Sequence, residues 1–375
     1  MTLVPPMPPV SPTTSTTPAT GELDLPAARY RVEALLTEFL DHKRTEATAG
    51  GLPGEVPAAL RDFFDAGGKR LRPMLCVLGW YAAGGAAPAP RSVLQVAAAL
   101  EMFHAFCLVH DDVMDDSTTR RGRPTVHRAF ADRHAEDHPG QAADRFGASA
   151  AILVGDFALA WSDELIHTAR LSPPQLLRVL PLLDAMRAEV LYGQYLDVDA
   201  TGRPSGDIER ARAIIRYKTA KYTCERPLHF GAALAGAPPQ LLDALSAYAL
   251  PLGEAFQLRD DLLGVFGDPH VTGKSRLDDL REGKHTLLIA LALRDVAPGD
   301  KDLLHRLLAD PHLTEAEAAQ IRGALTACGA RAHVEDLIDQ RRQAALDTLD
   351  TATAITPAAL PHLRCLVDTV TRRAS

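Results

Sequence analysis

From Val93 to Val109 the chain is apolar at every position except Gln95, Glu101 and His104. Ala, Leu and Met make this stretch a strong helix former. A helix that is apolar all round has no face for water, so other elements must cover it on every side. Ser92–Met114 is therefore expected to be a central helix of a bundle. The uninterrupted apolar run is too short to span a bilayer, which takes about 18–20 such residues, and no membrane span is expected.

The rest of the chain fits that expectation. Apolar residues recur at spacings of three and four, and alternating strand patterns are scarce. Pro and Gly mostly punctuate the periodic segments, as at Pro88 and Pro90, Pro139-Gly140, Pro173-Pro174, Pro238-Pro239 and Pro298-Gly299. The polar stretch His134–Arg145 reads as a surface loop. Residues 1–24 are rich in Pro, Thr and Ser and cannot bury enough apolar surface to order themselves, so a disordered tail is expected there. The fold class is then all-α, a large single-domain helix bundle over residues 25–375.

Some functions are disfavoured at once. The net charge of −8 does not suit a general nucleic-acid binder. The start of the chain lacks the basic residues and apolar centre of a signal peptide. The five cysteines, Cys76, Cys107, Cys224, Cys328 and Cys365, contain no C-x-x-C pair and suggest neither a zinc site nor a disulfide framework. They suit a reducing cytoplasm.

The central helix ends on Asp111-Asp112-Val113-Met114-Asp115-Asp116. Asp111 and Asp115 are four apart and share a helix face, with Asp112 beside them. Carboxylates crowded in this way repel one another unless a cation lies between them, and Mg²⁺ takes oxygen ligands of this kind together with substrate phosphates. On its own such a motif is more often a solvated acidic helix end. A second acidic pair shifts the balance: Gln257, Asp260 and Asp261 also lie in an apolar helical run. Two acidic pairs on apolar helices are poorly explained as solvated faces, and facing each other they could hold several Mg²⁺ ions around one diphosphate.

Cations complete the pattern. Gly67-Gly68-Lys69-Arg70-Leu71-Arg72-Pro73 places three at a helix start, and Arg120-Arg121-Gly122-Arg123 follows the first acidic motif. Lys218, Lys221, Lys274 and Lys284 add more. Arginine suits bidentate phosphate binding and lysine acts as a point charge, though any one of these alone would read as a surface cation.

With these motifs in order, together with EMFH (101–104), GQYLD (193–197), YKTAKYT (217–223) and EGKHT (282–286), the chain resembles the trans-type polyprenyl diphosphate synthases from about Leu25 onward, and geranylgeranyl diphosphate synthases in particular. The resemblance implies an isoprenoid-synthase bundle with a central active-site cavity, a homodimer, and condensation of isopentenyl diphosphate with an allylic diphosphate. It implies that Asp111, Asp112 and Asp115 form a first magnesium cluster and Asp260 and Asp261 a second. Arg120, Lys218, Lys274 and Lys284 would grip the allylic diphosphate. Lys69, Arg72, His104 and Arg121 would bind isopentenyl diphosphate, Thr219 and Gln257 would lie near the developing cation, and Gln194 near the reacting groups. Arg70 would be structural. The family's second motif often ends in a third Asp, where this chain has Gly264, with Asp268 one turn further on.

Product length is read from the residues before Asp111. Cys107 and Phe106 lie about 6–7.5 Å below it along a helix, which makes Phe106 the candidate tunnel floor with the small Cys107 beside it. The first motif carries no two-residue insertion, and the pattern favours a C20 product over C15. A class I terpene cyclase would not need GGKRLRP and RRGRP. Squalene- or phytoene-type synthases space their acidic motifs differently, and a non-catalytic subunit would be expected to lack one acidic cluster.

Overall fold

A computed structural model describes residues 23–135, 140–268 and 275–371 of the chain. The first 22 residues of the expected tail lie outside the described residues. At the inner edge of that tail, Asp24 is already structural: its side chain accepts from the Ala27 amide (2.8 Å) and caps the first helix, α1 (Leu25–Ala49).

The order continues with α2 (Glu55–Asp65), α3 (Leu71–Ala82) and α4 (Arg91–Met114). A two-residue antiparallel hairpin, β1 (Thr119–Arg120) and β2 (Arg123–Pro124), is the only sheet among the described residues. Then come α5 (Val126–His134), α6 (Gln141–His167), α7 (Pro173–Ala200), α8 (Ile208–Ile214), a π-helical segment (Ile215–Glu225), α9 (Arg226–Leu234) and α10 (Pro239–Phe266). Among the described residues six helices follow: α11 (Asp278–Glu282), α12 (Leu287–Asp295), α13 (Pro298–Leu307), α14 (Glu315–Ala327), α15 (Ala330–Thr351) and α16 (Leu360–Thr371). The all-α expectation holds. Prolines open α7, α10 and α13, where a missing N–H costs nothing. The loop expected over His134–Arg145 is shorter than that, because Gln141–Arg145 already belong to α6.

The sequence that most constrained the fold sits where expected. Helix α4 packs chiefly against α6 and also touches α1, α3, α5 and α9. Among the described residues it is the one helix long and apolar enough to cross a membrane, and its burial inside the bundle accounts for that composition. Among the described residues two apolar cores form, one around α3, α4, α9 and the first half of α10, and one beneath α11 to α15. The π-helical segment lies against α7 and α10. Gly193 and Gly253 permit this approach, since a Cβ at either would fall 2.3 Å from the Lys218 nitrogen or 2.5 Å from the Ala220 Cα. Segments of this wide-turn type often mark functional sites.

Candidate active site

A cavity of about 1280 Å³ opens between α4, α7, the π-helical segment and α10. Its rim carries both acidic motifs. Asp111, at the end of α4, accepts from Gln194 Nε2 (2.7 Å) on α7 and from Lys218 Nζ (3.2 Å). Lys218 is also held by Asp197 (2.5 Å), which fixes the ammonium between two carboxylates. Burial alone would raise the Asp111 carboxyl, but Lys218, Lys284 and Arg120 outweigh it and hold the group below its ordinary value. Its neighbour Asp115 goes the other way: burial and the Asp111 charge push it up to about 6.

Asp112 is separated from this pair. It is buried, and Arg120 grips both its oxygens at 2.8–2.9 Å through Nε, with Nη2 adding a third bond to Oδ1 at 2.6 Å. Asp112 does not line the main cavity, whereas Arg120 does. The three-carboxylate cluster expected from sequence is therefore two carboxylates facing the cavity and one aiming an arginine. The physical reason is helical: Asp112 lies about 100° around α4 from Asp111.

Across the cavity, α10 presents Asp260 and Asp261. Thr219 donates to Gln257 Oε1 (2.6 Å), and Gln257 Nε2 in turn donates to Asp261 (2.7 Å). Asp261 is nearly buried; burial first, then the Asp279 and Asp260 charges, push its carboxyl up to about 8 against the opposing Gln257 bond. The place left by the glycine in this motif is filled from elsewhere. A Cβ on Gly264 would lie 2.0 Å from Oδ2 of Asp279, so the carboxylate of α11 occupies the space a side chain at 264 would take. Asp268 is exposed beyond the end of α10 and does not line the cavity. Lys284 joins the two sides, with Nζ 3.7 Å from Asp115, 3.3 Å from Asp279 and 3.0 Å from Glu282.

The basic corner lies at the start of α3. Lys69 and Arg72 line the cavity with His104 and Arg121. Arg72 donates to Thr223 Oγ1 (2.6 Å), and its guanidinium lies 4.3 Å from the centre of the Tyr222 ring. The same Tyr222 hydroxyl pairs with His104 Nδ1 (3.2 Å). Burial, reinforced by Arg72, holds His104 well below its ordinary value, so the ring is neutral at pH 7. Arg121 donates to the Gly67 carbonyl. Arg70 lines the same corner, but its buried guanidinium points to Glu101 (3.0 Å) and the Phe64 carbonyl (2.8 Å). Lys221 also points away, to Glu189 (2.6 Å) and Glu225 (3.3 Å). Lys274 lies outside the described residues.

The model of the polyprenyl synthetase family matches residues 54–325. The chain belongs to the polyprenyl synthetases. It is 34% identical over 308 residues to a geranylgeranyl diphosphate synthase of Methanosarcina mazei, covering 82% of this chain and 84% of that one. It is 32% identical over 302 residues to an all-trans-nonaprenyl-diphosphate synthase of Rhodobacter capsulatus, covering 80% and 84%. A solved geranylgeranyl pyrophosphate synthase of Corynebacterium glutamicum, complexed with isoprenyl diphosphate and magnesium, superposes with a TM-score of 0.89 at 40% identity, over 94% of this chain and all of that one. The protein is thus a polyprenyl diphosphate synthase, an enzyme that transfers prenyl groups.

For this synthase, sequence reasoning missed Asp197 and Asp279 as partners of the cavity lysines. Asp197 could have been found, because it lies three residues after Gln194 on one face of α7. Asp279 had no local signal. The apolar end of the cavity includes Phe106, Cys107, Val190, Leu191 and Phe256. Phe106 packs on Phe103 beneath it, at 5.3 Å between ring centres. The Cys107 thiol reaches Tyr222, and burial pushes it up to about 12, so it acts as a small apolar wall.

Proposed function

We propose that this synthase condenses isopentenyl diphosphate with an allylic diphosphate by magnesium-assisted ionisation and releases a C20 product, geranylgeranyl diphosphate. The observation that carries the reading is the pair of acidic faces, on α4 and α10, set across one cavity whose third side is the basic start of α3. Among the described residues no three acidic, His or Cys side chains converge to hold an ion alone. Such a donor set suits Mg²⁺ shared with diphosphate oxygens. Asp111 and Asp115 would hold it on one side and Asp260, Asp261 and Asp279 on the other. When bound, it supplies positive charge where the leaving diphosphate becomes more negative.

The chain's own residues supply the rest. Lys218, Lys284 and Arg120 converge on the same place and stabilise the departing diphosphate without reorganising. Gln257 and Thr219 present oriented dipoles towards the allylic carbon as its C–O bond breaks and positive charge develops. Lys69, Arg72 and Arg121 hold the second diphosphate, with neutral His104 as a hydrogen-bonding neighbour. The double bond of isopentenyl diphosphate attacks the cation, and the proton then lost goes to the departed diphosphate. The apolar walls keep out water that would quench the cation.

The C20 reading rests on Phe106 standing in the cavity wall about 7.5 Å below Asp111 along α4. Relatives named as geranylfarnesyl and nonaprenyl synthases match this chain almost as well, so kinship alone does not fix product length. Purified enzyme would be incubated with Mg²⁺, isopentenyl diphosphate and each allylic starter in turn, and the products sized after phosphatase treatment. A C20 alcohol is expected; C15 or C25 and longer would refute the length, and no condensation product would refute the reaction. A homodimer is supported by the apolar residues left exposed on α6 and α7, among them Phe146, Leu153, Phe157 and Tyr192. Light scattering should give twice the chain mass. The unpaired cysteines support a cytoplasmic location.

A further inference from the structure

The candidate floor does not stand alone. The ring of Phe106 is met edge-on by the ring of His110, at 4.8 Å between centres and 65° between planes. His110 lines the same cavity and is anchored to the neighbouring helix: its Nε2 lies 3.0 Å from the Ile152 carbonyl and 3.7 Å from Asp156, both on α6. At Gly155 a Cβ would lie 2.2 Å from His110 Cδ2, so the imidazole has its place only because residue 155 has no side chain. On its other side Phe106 rests on Phe103, which meets Tyr222 edge-on at 5.8 Å and carries the Arg187 guanidinium 5.6 Å from its ring centre. Arg187 is in turn tied to Asp163 of α6. Helix α6 thus grips both ends of an aromatic ladder that includes the floor.

We infer that His110 is a positioning residue for product length: its ring fixes Phe106, and Gly155 fixes His110, so the depth of the tunnel is set by the seam between α4 and α6 and not by α4 alone. The inference rests on the prenyl-elongating reading of the cavity. A phenylalanine with no ring at its edge is free to turn into other staggered rotamers. A wall that yields by part of an isoprene unit changes where elongation stops, because an apolar pocket discriminates by about tenfold or more for a single methylene.

The test uses the full chain with Mg²⁺, isopentenyl diphosphate and farnesyl diphosphate, with products sized after phosphatase treatment. His110→Ala should raise the ratio of the next longer product to the wild-type product by about tenfold. His110→Phe keeps a ring against Phe106 and should keep the wild-type product. Gly155→Ala pushes the imidazole towards the tunnel and should shorten the product. The double variant Phe106→Ala/His110→Ala should make the same products as Phe106→Ala alone, because His110 acts only through that ring. A merely structural histidine would lower the melting temperature and turnover of His110→Ala with no change in length, and that result overturns the inference. Where His110→Ala does not fold, as read by circular dichroism, Gly155→Ala decides: an unchanged or longer product overturns it. Wild-type enzyme that forms no prenyl product would sink the proposed reaction itself, whereas elongation with unmoved lengths sinks only the brace.

Discussion

The two acidic faces of the cavity are built differently. On α4, Asp111 and Asp115 belong to one helix face, four residues apart, and their geometry follows from the helix alone. On α10, Asp260 and Asp261 are adjacent, Gly264 contributes no carboxylate, and Asp279 reaches in from a five-residue helix. One face is a local property of sequence. The other is assembled by tertiary packing and depends on the position of α11, which Lys284 ties to both faces. A glycine that looks like a lost carboxylate in the sequence is, in the fold, room made for a carboxylate from elsewhere.

The largest effects should come from removing one carboxylate on each face. Asp111→Ala and Asp260→Ala should each lower kcat by about 10²–10³-fold, the cost typical of deleting one group that stabilises developing charge, with little change in melting temperature. Near-normal steady-state turnover in either would remove that face from the reaction. A sharper break concerns Gly264. Gly264→Asp would restore the motif by sequence, yet it should lower activity by about tenfold or more, because the new side chain collides with Asp279. Gly264→Asp/Asp279→Gly should recover much of that loss, and Mg²⁺ affinity measured by calorimetry with a non-reactive bisphosphonate should recover in parallel. If the single variant is as active as wild type, Asp279 does not fill the vacancy.

The same contrast explains what was legible in the sequence. Helix α4, its central burial and its cavity-facing pair could be read because a run with no polar face and an i, i+4 pair are local patterns. The basic start of α3 was legible through its motif, including the structural Arg70. The division of labour between Asp111 and Asp112 was not, because it depends on Arg120, which returns to α4 through a hairpin too short for strand patterning to reveal. Lys221 read as one more phosphate cation, yet the π-helical turn points it at Glu189, on α7. Asp279 was invisible for the same reason: nothing near it in sequence states what lies across the cavity.

The two faces should also separate by pH. Asp115 is pushed up to about 6 and Asp261 to about 8, both chiefly by burial. A carboxyl whose proton is held more tightly in the folded chain stabilises the fold fully below the unfolded value, and that contribution is lost as pH rises through the folded one. Without metal, the melting temperature should therefore fall from about pH 4, the ordinary carboxyl value, up to about pH 8, with both groups contributing below pH 6 and Asp261 alone above it. Mg²⁺ binds the ionised forms and displaces these protons, so the rise in melting temperature that it produces should grow over the same range. In Asp261→Asn the fall between about pH 6 and pH 8 should vanish and the fall below pH 6 remain. A magnesium-induced shift that is flat from pH 6 to pH 8 would show that the α10 face does not titrate with metal.

The smallest expected effect tests the division within the α4 face. Asp112 binds Arg120 through both oxygens and lies off the cavity, so it holds the guanidinium against the cavity wall, where the proposed reaction places the allylic diphosphate. Asp112→Asn keeps the size of the side chain and one acceptor, and weakens a charge-assisted bidentate pair to a neutral bond. The expected outcome is a rise of about tenfold in KM for the allylic diphosphate, as a hydrogen bond to a charged group is worth about 1.5–3 kcal/mol and only part of it is lost. The KM for isopentenyl diphosphate and the Mg²⁺ concentration for half-maximal activity should stay close to wild type. Steady-state kinetics with each substrate and the metal varied separately would read all three. A large increase in the magnesium requirement would instead make Asp112 a metal ligand, equal in kind to Asp111, and the α4 face would then hold three carboxylates as its sequence first suggested.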